Sequence, residues 1–540
     1  MNIYTIAVGI SLILFTAIGL FMSRSVNTKE DYFVAGRNAG VLLIVGTLAA
    51  SYLSTVAMMG EAGMAYDGYP WIILMMGGLV QLGYIVGVIL FGRYLRESNS
   101  LTIPEYFGRR FNSKRLQLLS GLMVLIGIGL YLVAVTRGIS LVLQTITGID
   151  EIWAIALTWL VFSAFTVLSG SKGVIVTDTV MFLVFVFGGG AAFLYIIHKA
   201  GGFDDSLRRL ASDDTLREGL LWHGILSSEG ALFTNKLDAF IYVITYGVVW
   251  MCVLSVSPWQ ASRYMMAKTN QVAIRSGLVA VVAVTAFYAL MLTAAYSVRL
   301  INPDISPSEN VIIWCAYNLL PTSLGVAVIV GIMAAGLSSA STFLSLVGFS
   351  AVNDVLNVVR KSSEHRSDLD TLKESRIAML VVGLIALLVT ALATPGVLQI
   401  GYMAASFFAA GWGIVAIAST QSRKISERGA FWGMAMGGTV VLVLECFSTF
   451  GNLQLPTSLN PVFFGLLSSA AGVFIGSTTK KAKESNIEYL DTLHRAIRAT
   501  STPTEVRTTK KYVIATGCCL LALYVGIAMF YFPNMLPYVS

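Results

Sequence analysis

The chain has 540 residues, of which 56% are hydrophobic and only 12% are charged, and its mean hydropathy is +0.76. A composition this apolar excludes an ordinary soluble protein and predicts a polytopic membrane protein. The five cysteines have neither the spacing of a zinc site nor the pattern of a disulfide framework. The formal charge of +7 would suit a nucleic-acid-binding protein only if the basic residues were not explained by membrane topology.

Fourteen segments are apolar over roughly the 20 residues that a helix needs to cross a bilayer. They predict an all-α polytopic membrane protein with about 14 transmembrane helices. The predicted spans are residues 3–22, 41–65, 71–92, 117–146, 152–170, 174–198, 237–257, 277–299, 324–348, 377–394, 397–420, 430–449, 461–478 and 513–533.

The basic residues predict the orientation of these spans. Arg24, Lys29 and Arg37 follow the first span, which has no basic residue before it, so we expect an uncleaved anchor with its N-terminus outside. In this orientation 29 of the 36 Lys and Arg residues lie in inside segments. An even number of spans then places the C-terminus outside as well. Topology thus explains the positive charge, and we expect the lipid bilayer, not nucleic acid, as a partner.

The second predicted span carries small and hydroxylated residues from Leu48 to Glu61, where most membrane helices carry leucine. This composition fits a local unwinding whose free carbonyl groups line a cavity. Tight packing by small residues is an equally available explanation.

Arg137 lies well inside the fourth predicted span, and no other basic residue is predicted so deep in a span. It could hold the carboxylate of a substrate, because the guanidinium group matches that group and stays charged. It could also form a structural ion pair, for which Glu61 is at a similar depth.

Asp178 lies about five residues inside the sixth predicted span. A carboxylate at that depth is costly unless it is protonated, paired or close to a cation. It could instead reach back to water on the inner side. If a helix face rich in hydroxyl groups packs nearby, Asp178 supplies the negative charge that such a face lacks.

A run of hydroxyl groups interrupts the ninth predicted span, at Ser338, Ser339, Ser341, Thr342 and Ser345. At helical spacing Ala335, Ser338, Ser339 and Thr342 share one face of a helix, and Ser338, Ser341, Thr342 and Ser345 share an overlapping face. Neutral oxygens of this kind suit a small hard cation that must bind and leave again. The alternative is that the hydroxyls are bonded to carbonyls of their own helix and serve close packing.

Three motifs in order along the chain resemble the solute:sodium symporter family, whose members have a LeuT-like core. Ala50 to Leu53 is similar to the family's first core helix, Thr177-Asp178 to the acidic motif of its fifth, and Ala335-x-x-Ser338-Ser339 to the sodium motif of its eighth. The stretch from Tyr131 to Gly138 is most similar to the acetate and other carboxylate permeases of the family, although those do not place an arginine at position 137.

The resemblance implies two inverted repeats of five helices, at 41–198 and 237–420. The first repeat follows an N-terminal helix and inside loop at 1–40, an outside loop at 199–236 joins the two, and three helices with a basic inside loop at 477–512 make up 421–540. It implies Na⁺ as the coupling ion and no other cofactor. The main sodium site would use the carbonyls of Ala50, Leu53 and Ala335 and the hydroxyls of Ser338 and Ser339.

A second sodium site, present only in some members of the family, would use Asp178 with Ser338, Ser341 and Thr342. We expect the substrate to meet Ser54, Thr55, Arg137 and Trp250, the last of these in a helix expected to break near Ser257-Pro258. The residues Val56 and Ala57 stand where sugar-transporting relatives carry charged or amide side chains, which argues against a sugar.

These features predict a sodium-coupled symporter that imports a small organic solute, most simply one with a carboxylate such as a monocarboxylate or an amino acid. We expect no enzymatic activity, a monomer as the functional unit, and a location in the plasma membrane, in bacteria the inner membrane. The alternatives are a symporter for a neutral solute such as a sugar, a transporter-like sensor or receptor, and a channel. The longest inside segment, 477–512, is too short for a kinase or cyclase domain, and a closed hydroxyl site suits stoichiometric binding better than conduction.

Overall fold

The computed structural model describes residues 2–227, 231–360, 367–392, 397–451, 455 and 459–539. In these ranges all elements of regular secondary structure are helices. Twelve of them are long and apolar enough to cross a membrane, and a bent pair of helices makes a thirteenth span. The shorter apolar helix Glu151–Ala164 corresponds to the remaining predicted span. The predicted all-α membrane fold is therefore confirmed.

We number these fourteen helices in chain order. They are α1 (Ile3–Ser23), α2 (Val41–Tyr52 and Ala57–Tyr66), α3 (Pro70–Glu97), α4 (Lys114–Thr147), α5 (Glu151–Ala164), α6 (Thr166–Lys199), α7 (Lys236–Met265), α8 (Asn270–Leu300), α9 (Thr322–Val359), α10 (Asp368–Leu392), α11 (Gln399–Gln421), α12 (Glu427–Ser448), α13 (Pro461–Thr479) and α14 (Pro503–Pro537). Residues 393–396, at the predicted boundary between two spans, lie outside the described residues.

Helix α2 is broken in the middle, and its two halves meet at 62°. The first half ends at Tyr52, and the amide of Ser54 donates to the Tyr52 carbonyl at 2.8 Å instead of to the carbonyl of Ala50 four residues back. Because that amide has turned away, the carbonyl of Ala50 is released from the helix ladder. The local unwinding predicted for this span is thus present.

Helix α7 is also broken, at Ser257, which has extended backbone angles between the segments Lys236–Val256 and Pro258–Met265. Proline has no amide hydrogen to donate and is preorganised for the first position of a helix, so the chain restarts as a helix at Pro258. The broken helices α2 and α7 are the first members of the two repeats predicted at 41–198 and 237–420. That division of the chain stays a prediction.

Helix α9 passes through the centre of the bundle and packs against α2, α4 and α6. A side chain at Gly336 would lie 2.3 Å from Ile139 Cγ1 and 2.9 Å from Thr55 Cγ2, so a residue without a Cβ is required there for α9 to reach the break in α2. On the opposite side of α2, a side chain at Gly46 would lie 2.8 Å from the Thr179 Cα of α6. These close approaches hold three helices together around the break.

One ion pair ties the segment between α1 and α2 to the first turns of α6. The ammonium of Lys172 lies 2.9 Å from Asp31 Oδ1. Burial opposes ionisation of this carboxyl, but the hydrogen bonds from Lys172, the Asn27 amide and Thr28 prevail, and the pKa of Asp31 lies below its ordinary value of 3.8.

Candidate ion and solute site

The main predicted sodium site lies where the break in α2 meets α9. The hydroxyl of Ser338 donates to the released carbonyl of Ala50 at 2.9 Å and is 3.0 Å from the carbonyl of Ala335. Ser339 donates to the same Ala335 carbonyl at 3.2 Å. All four residues have no exposure to solvent. Four of the five predicted ligands are therefore in mutual contact.

The fifth predicted ligand, Leu53, is the capping residue at the end of the first half of α2. None of the described hydrogen bonds links Leu53 directly to the other four predicted ligands. The cluster as a whole presents carbonyl and hydroxyl oxygens. A hydroxyl can turn its hydrogen away and offer lone pairs, so these groups can exchange their mutual hydrogen bonds for contacts to a small cation.

The residues of the second predicted sodium site are also close together, but they surround a guanidinium group. The hydroxyl of Thr47 donates to Asp178 Oδ2 at 2.5 Å, and Arg263 Nη2 lies 3.5 Å from the same oxygen. Arg263 also donates to the Thr342 hydroxyl. Ser341 donates instead to the Ser338 carbonyl of its own helix, at 2.9 Å. A charged side chain of the protein thus already contacts two of the oxygens predicted to hold an ion.

Sequence reasoning missed this role of Arg263. The predicted span 237–257 ends before Arg263, and Arg137 is predicted as the deepest basic residue in a span. The structure corrects both expectations, because the helix continues to Met265. Arg263 is only 2% exposed, in the second half of α7. A signal was available, because a proline that can start a helix is followed here by an aromatic and apolar stretch around the arginine.

Arg137 forms an ion pair with Glu151, the first residue of α5. The structural ion pair, one of the two alternatives for Arg137, is thus present, but its partner is Glu151 and not Glu61. Arg137 lies ten residues before the end of α4, and its side chain is 22% exposed, whereas that of Glu151 is 46% exposed. Glu61 lies instead beside Tyr288 of α8.

The breaks of α2 and α7 both carry buried polar groups. Gln260 Nε2, just after the break in α7, is 3.5 Å from the carbonyl of Leu48 in the first half of α2. Three buried polar atoms at the breaks have no hydrogen-bond partner among the described residues: the hydroxyls of Thr55 and Ser257, and Gln260 Oε1. Burying such an atom costs free energy unless a ligand or a water molecule supplies the missing hydrogen bond. The buried hydroxyl of Ser54 lies beside the Tyr131 side chain. Ser54 and Thr55 therefore lie where a solute would meet them, and Ser257 and Gln260 join them.

Aromatic side chains enclose this polar region. Trp259 packs edge-on against Tyr131 and Phe343, with ring centres 5.2 and 5.6 Å apart, and is 1% exposed. Trp250, the tryptophan predicted to face the solute, is partly buried, and its ring centre lies 6.4 Å from that of Tyr131. Trp250 and Trp259 therefore share Tyr131 as a neighbour, and Trp259 is the more deeply buried of the two.

A family model described as "Sodium:solute symporter family" matches residues 32–437. The chain belongs to this family. It is 23% identical over 470 residues to the sodium/pantothenate symporter of Escherichia coli (strain K12), covering 84% of this chain and 91% of that protein. It is 24% identical over 502 residues to the sodium/proline symporter of the same strain, and this match covers 87% of this chain and 94% of that protein. The match to the sodium/pantothenate symporter of Haemophilus influenzae is 26% identical but spans 54% of this chain and 58% of that protein.

Among solved structures, a Na⁺-coupled sialic acid symporter in a substrate-bound outward-open state superposes with a TM-score of 0.69 at 20% identity. The superposition covers 89% of this chain and 98% of that one. The LeuT-like fold is thereby confirmed. Membership of the family also confirms a sodium-coupled symporter of the membrane, with Na⁺ as coupling ion and no enzymatic role.

Proposed function

We propose that this sodium:solute symporter imports a small organic solute that carries a carboxylate, driven by one Na⁺ at Ala50, Leu53, Ala335, Ser338 and Ser339. The observation that carries the ion site is the Ala50 carbonyl, which has left its own helix and is bonded by Ser338 of α9. An ion at this point would join the broken helix to α9. Its binding therefore favours the arrangement in which the two are in contact.

The solute would bind where α2 and α7 are broken. The second halves of both helices begin here, and the amide groups at a helix N-terminus favour a negatively charged group. The unpartnered hydroxyls of Thr55 and Ser257, and the buried hydroxyl of Ser54, stand beside these N-termini. Together they can hold a carboxylate without a buried lysine or arginine, which removes the need for Arg137 as a clamp.

The rest of the solute would lie against the aromatic side chains of Trp250, Trp259 and Tyr131. These rings suit an apolar or weakly polar body of modest size. The named solutes of the similar proteins, pantothenate, proline and sialic acid, all carry a carboxylate. This shared group supports a carboxylate-bearing solute here, whereas their different bodies leave the remainder of the solute open to experiment.

The test is uptake by proteoliposomes, with and without an inward Na⁺ gradient, of labelled pantothenate, proline, acetate and a neutral hexose. We expect saturable Na⁺-dependent uptake of a carboxylate. For the solute that is transported, its carboxamide should compete at least tenfold more weakly, because it lacks the charge that the helix N-termini favour. Equal competition by the amide, or preference for the hexose, would refute the carboxylate. Solute binding without flux would favour the sensor.

We further propose that both termini lie outside, in the plasma membrane, and that the monomer is the functional unit. The support for the orientation is the excess of Lys and Arg in the inside segments. Labelling by a membrane-impermeant thiol reagent can be compared for a cysteine introduced in the 477–512 segment and one introduced in the predicted outside segment 199–236, in a background without Cys518 and Cys519, which lie within the span α14. We expect the cysteine at 199–236 to be labelled in intact cells and the cysteine at 477–512 only after the membrane is opened.

A further inference from the structure

Glu61, in the second half of α2, belongs neither to the ion site nor to the polar region at the two breaks. It is partly buried within the helix bundle. In the described part of the chain, the side chain of Tyr288 is its one hydrogen-bond partner, and no Lys, Arg or His forms an ion pair with it. A carboxylate within a membrane protein is costly unless a proton or a positive charge neutralises it. The described side chains do not supply that positive charge.

Aromatic rings from four helices surround this carboxyl group. Tyr52, Tyr131, Tyr242 and Tyr288 are all close enough to Glu61 to interact with its charge. The ring centres of Tyr52 and Tyr288 lie 5.7 Å apart. A carboxylate among aromatic rings is a favourable environment for an ammonium group, because the carboxylate and the faces of the rings both attract a cation. A proton would neutralise the acid in any surroundings, whereas the rings add attraction only for a cation.

Tyr131 connects this cluster to the region proposed for the solute. Its ring centre lies 6.4 Å from that of Trp250 and 5.2 Å from that of Trp259, and the Ser54 hydroxyl lies beside it. Ser54 is at the break in α2, and Glu61 follows seven residues later. The half-helix whose N-terminus favours a carboxylate therefore also carries, further along its length, an acid that favours a cation.

We propose that Glu61 binds a positively charged amine of the solute, so that the transported compound is a zwitterion whose cation is set apart from its carboxylate. The inference rests on the carboxylate site proposed above and names the second charge of the same solute. Thr55 and Glu61 are six residues apart, which is up to about 9 Å along a helix axis. Because side chains on a helix lean toward its N-terminus, the carboxyl group of Glu61 closes part of this gap.

The remaining gap is too long for an α-amino acid. Its amine nitrogen and its carboxyl carbon are both bonded to the same carbon atom, so they are only about 2.5 Å apart. An ω-amino acid, whose amine is at the far end of a short carbon chain, can place its carboxylate at the break in α2 and its ammonium group at Glu61.

The experiment compares four compounds of one size. These are 5-aminovalerate, which carries both charges at its two ends, its α-amino isomer norvaline, valerate without the amine, and pentylamine without the carboxylate. Binding is measured from the concentration of each compound that gives a half-maximal rise in melting temperature in detergent with Na⁺. Transport is measured as Na⁺-dependent uptake of labelled 5-aminovalerate by proteoliposomes. We expect wild type to transport 5-aminovalerate and to bind it at least tenfold more tightly than the other three compounds.

Glu61→Gln removes the charge of the side chain and keeps its size. This variant should bind 5-aminovalerate at least tenfold more weakly than wild type and should bind valerate within twofold of wild type. Glu61→Asp keeps the charge and should still prefer 5-aminovalerate to valerate. Glu445→Gln is the matched control, because Glu445 is a second buried acid, hydrogen-bonded by Ser406, in α12. It should follow wild type for all four compounds.

The comparison of compounds on wild type alone decides the proposal even where Glu61→Gln does not fold. Equal binding of 5-aminovalerate and valerate, tighter binding of norvaline, or an unchanged preference in folded Glu61→Gln would overturn it. Na⁺-dependent transport of acetate or pantothenate without binding of 5-aminovalerate would overturn it as well. Failure of the carboxylate site would look different, because pentylamine would then bind as tightly as 5-aminovalerate.

Discussion

Ser338→Ala is the sharpest test of the main sodium site. The Ser338 hydroxyl is fully buried and lies 2.9 Å from the Ala50 carbonyl and 3.0 Å from that of Ala335. Without this hydroxyl a bound ion has one oxygen ligand fewer, and the released Ala50 carbonyl loses its hydrogen-bond donor. Loss of a buried polar partner costs about 1–3 kcal/mol. The Na⁺ concentration for half-maximal uptake should therefore rise about 5- to 150-fold.

The matched control is Ser345→Ala. Ser345 lies two turns further along the same helix and is equally buried, but its hydroxyl donates only to the Ser341 carbonyl of its own helix at 2.8 Å. The assay is a Na⁺ titration of solute uptake in proteoliposomes, paired with a Na⁺ titration of the melting temperature in detergent. The Ser338 variant should respond to Na⁺ only at high concentration in both, and the Ser345 variant should follow wild type. An unchanged Na⁺ response in folded Ser338→Ala, or equal shifts in both variants, would refute the assignment.

Three further outcomes follow from the packing and the ion pairs. Gly336→Ala should destabilise the protein by about 1–3 kcal/mol and weaken Na⁺ activation, because the added Cβ has no space beside the break in α2. Gly129→Ala, whose added Cβ meets open space, should have neither effect in the same melting and uptake assays. Arg137→Gln and Glu151→Gln should each change the free energy of unfolding by less than about 1 kcal/mol and leave the KM for the solute within twofold, since the pair is partly exposed. A large rise in KM for Arg137→Gln alone would instead indicate that Arg137 binds the carboxylate of the solute. Asp31→Asn removes a carboxyl whose pKa is lowered on folding, so the stability it contributes is present above pH 3.8 and is lost as the pH falls below that value. The melting temperatures of variant and wild type should therefore differ near pH 7, and the difference should shrink as the pH falls below 3.8; a constant difference would contradict this.

The sequence was sufficient for the membrane architecture, because the hydrophobic length of a span is a local property of the chain. All fourteen predicted spans coincide with helices, including the pair around Gly170, a glycine with a left-handed φ of +53° inside the helical run Glu151–Val184. The spacing of Ala335, Ser338 and Ser339 was also sufficient to predict that their oxygens share one helix face, since a helix repeats every 3.6 residues.

The tertiary structure decided which of these groups meet. The partner of Arg137 depends on which helix end lies beside α4, and nothing in the local pattern distinguishes Glu61 from Glu151. The burial of Arg263 depends on the chain continuing as a helix after Pro258 and on its side chain reaching Asp178 of α6 and Thr342 of α9. The free carbonyl of Ala50 depends on one amide turning aside at Ser54. Each of these is a contact between residues distant in the chain or a departure from regular geometry, and helical periodicity carries information about neither.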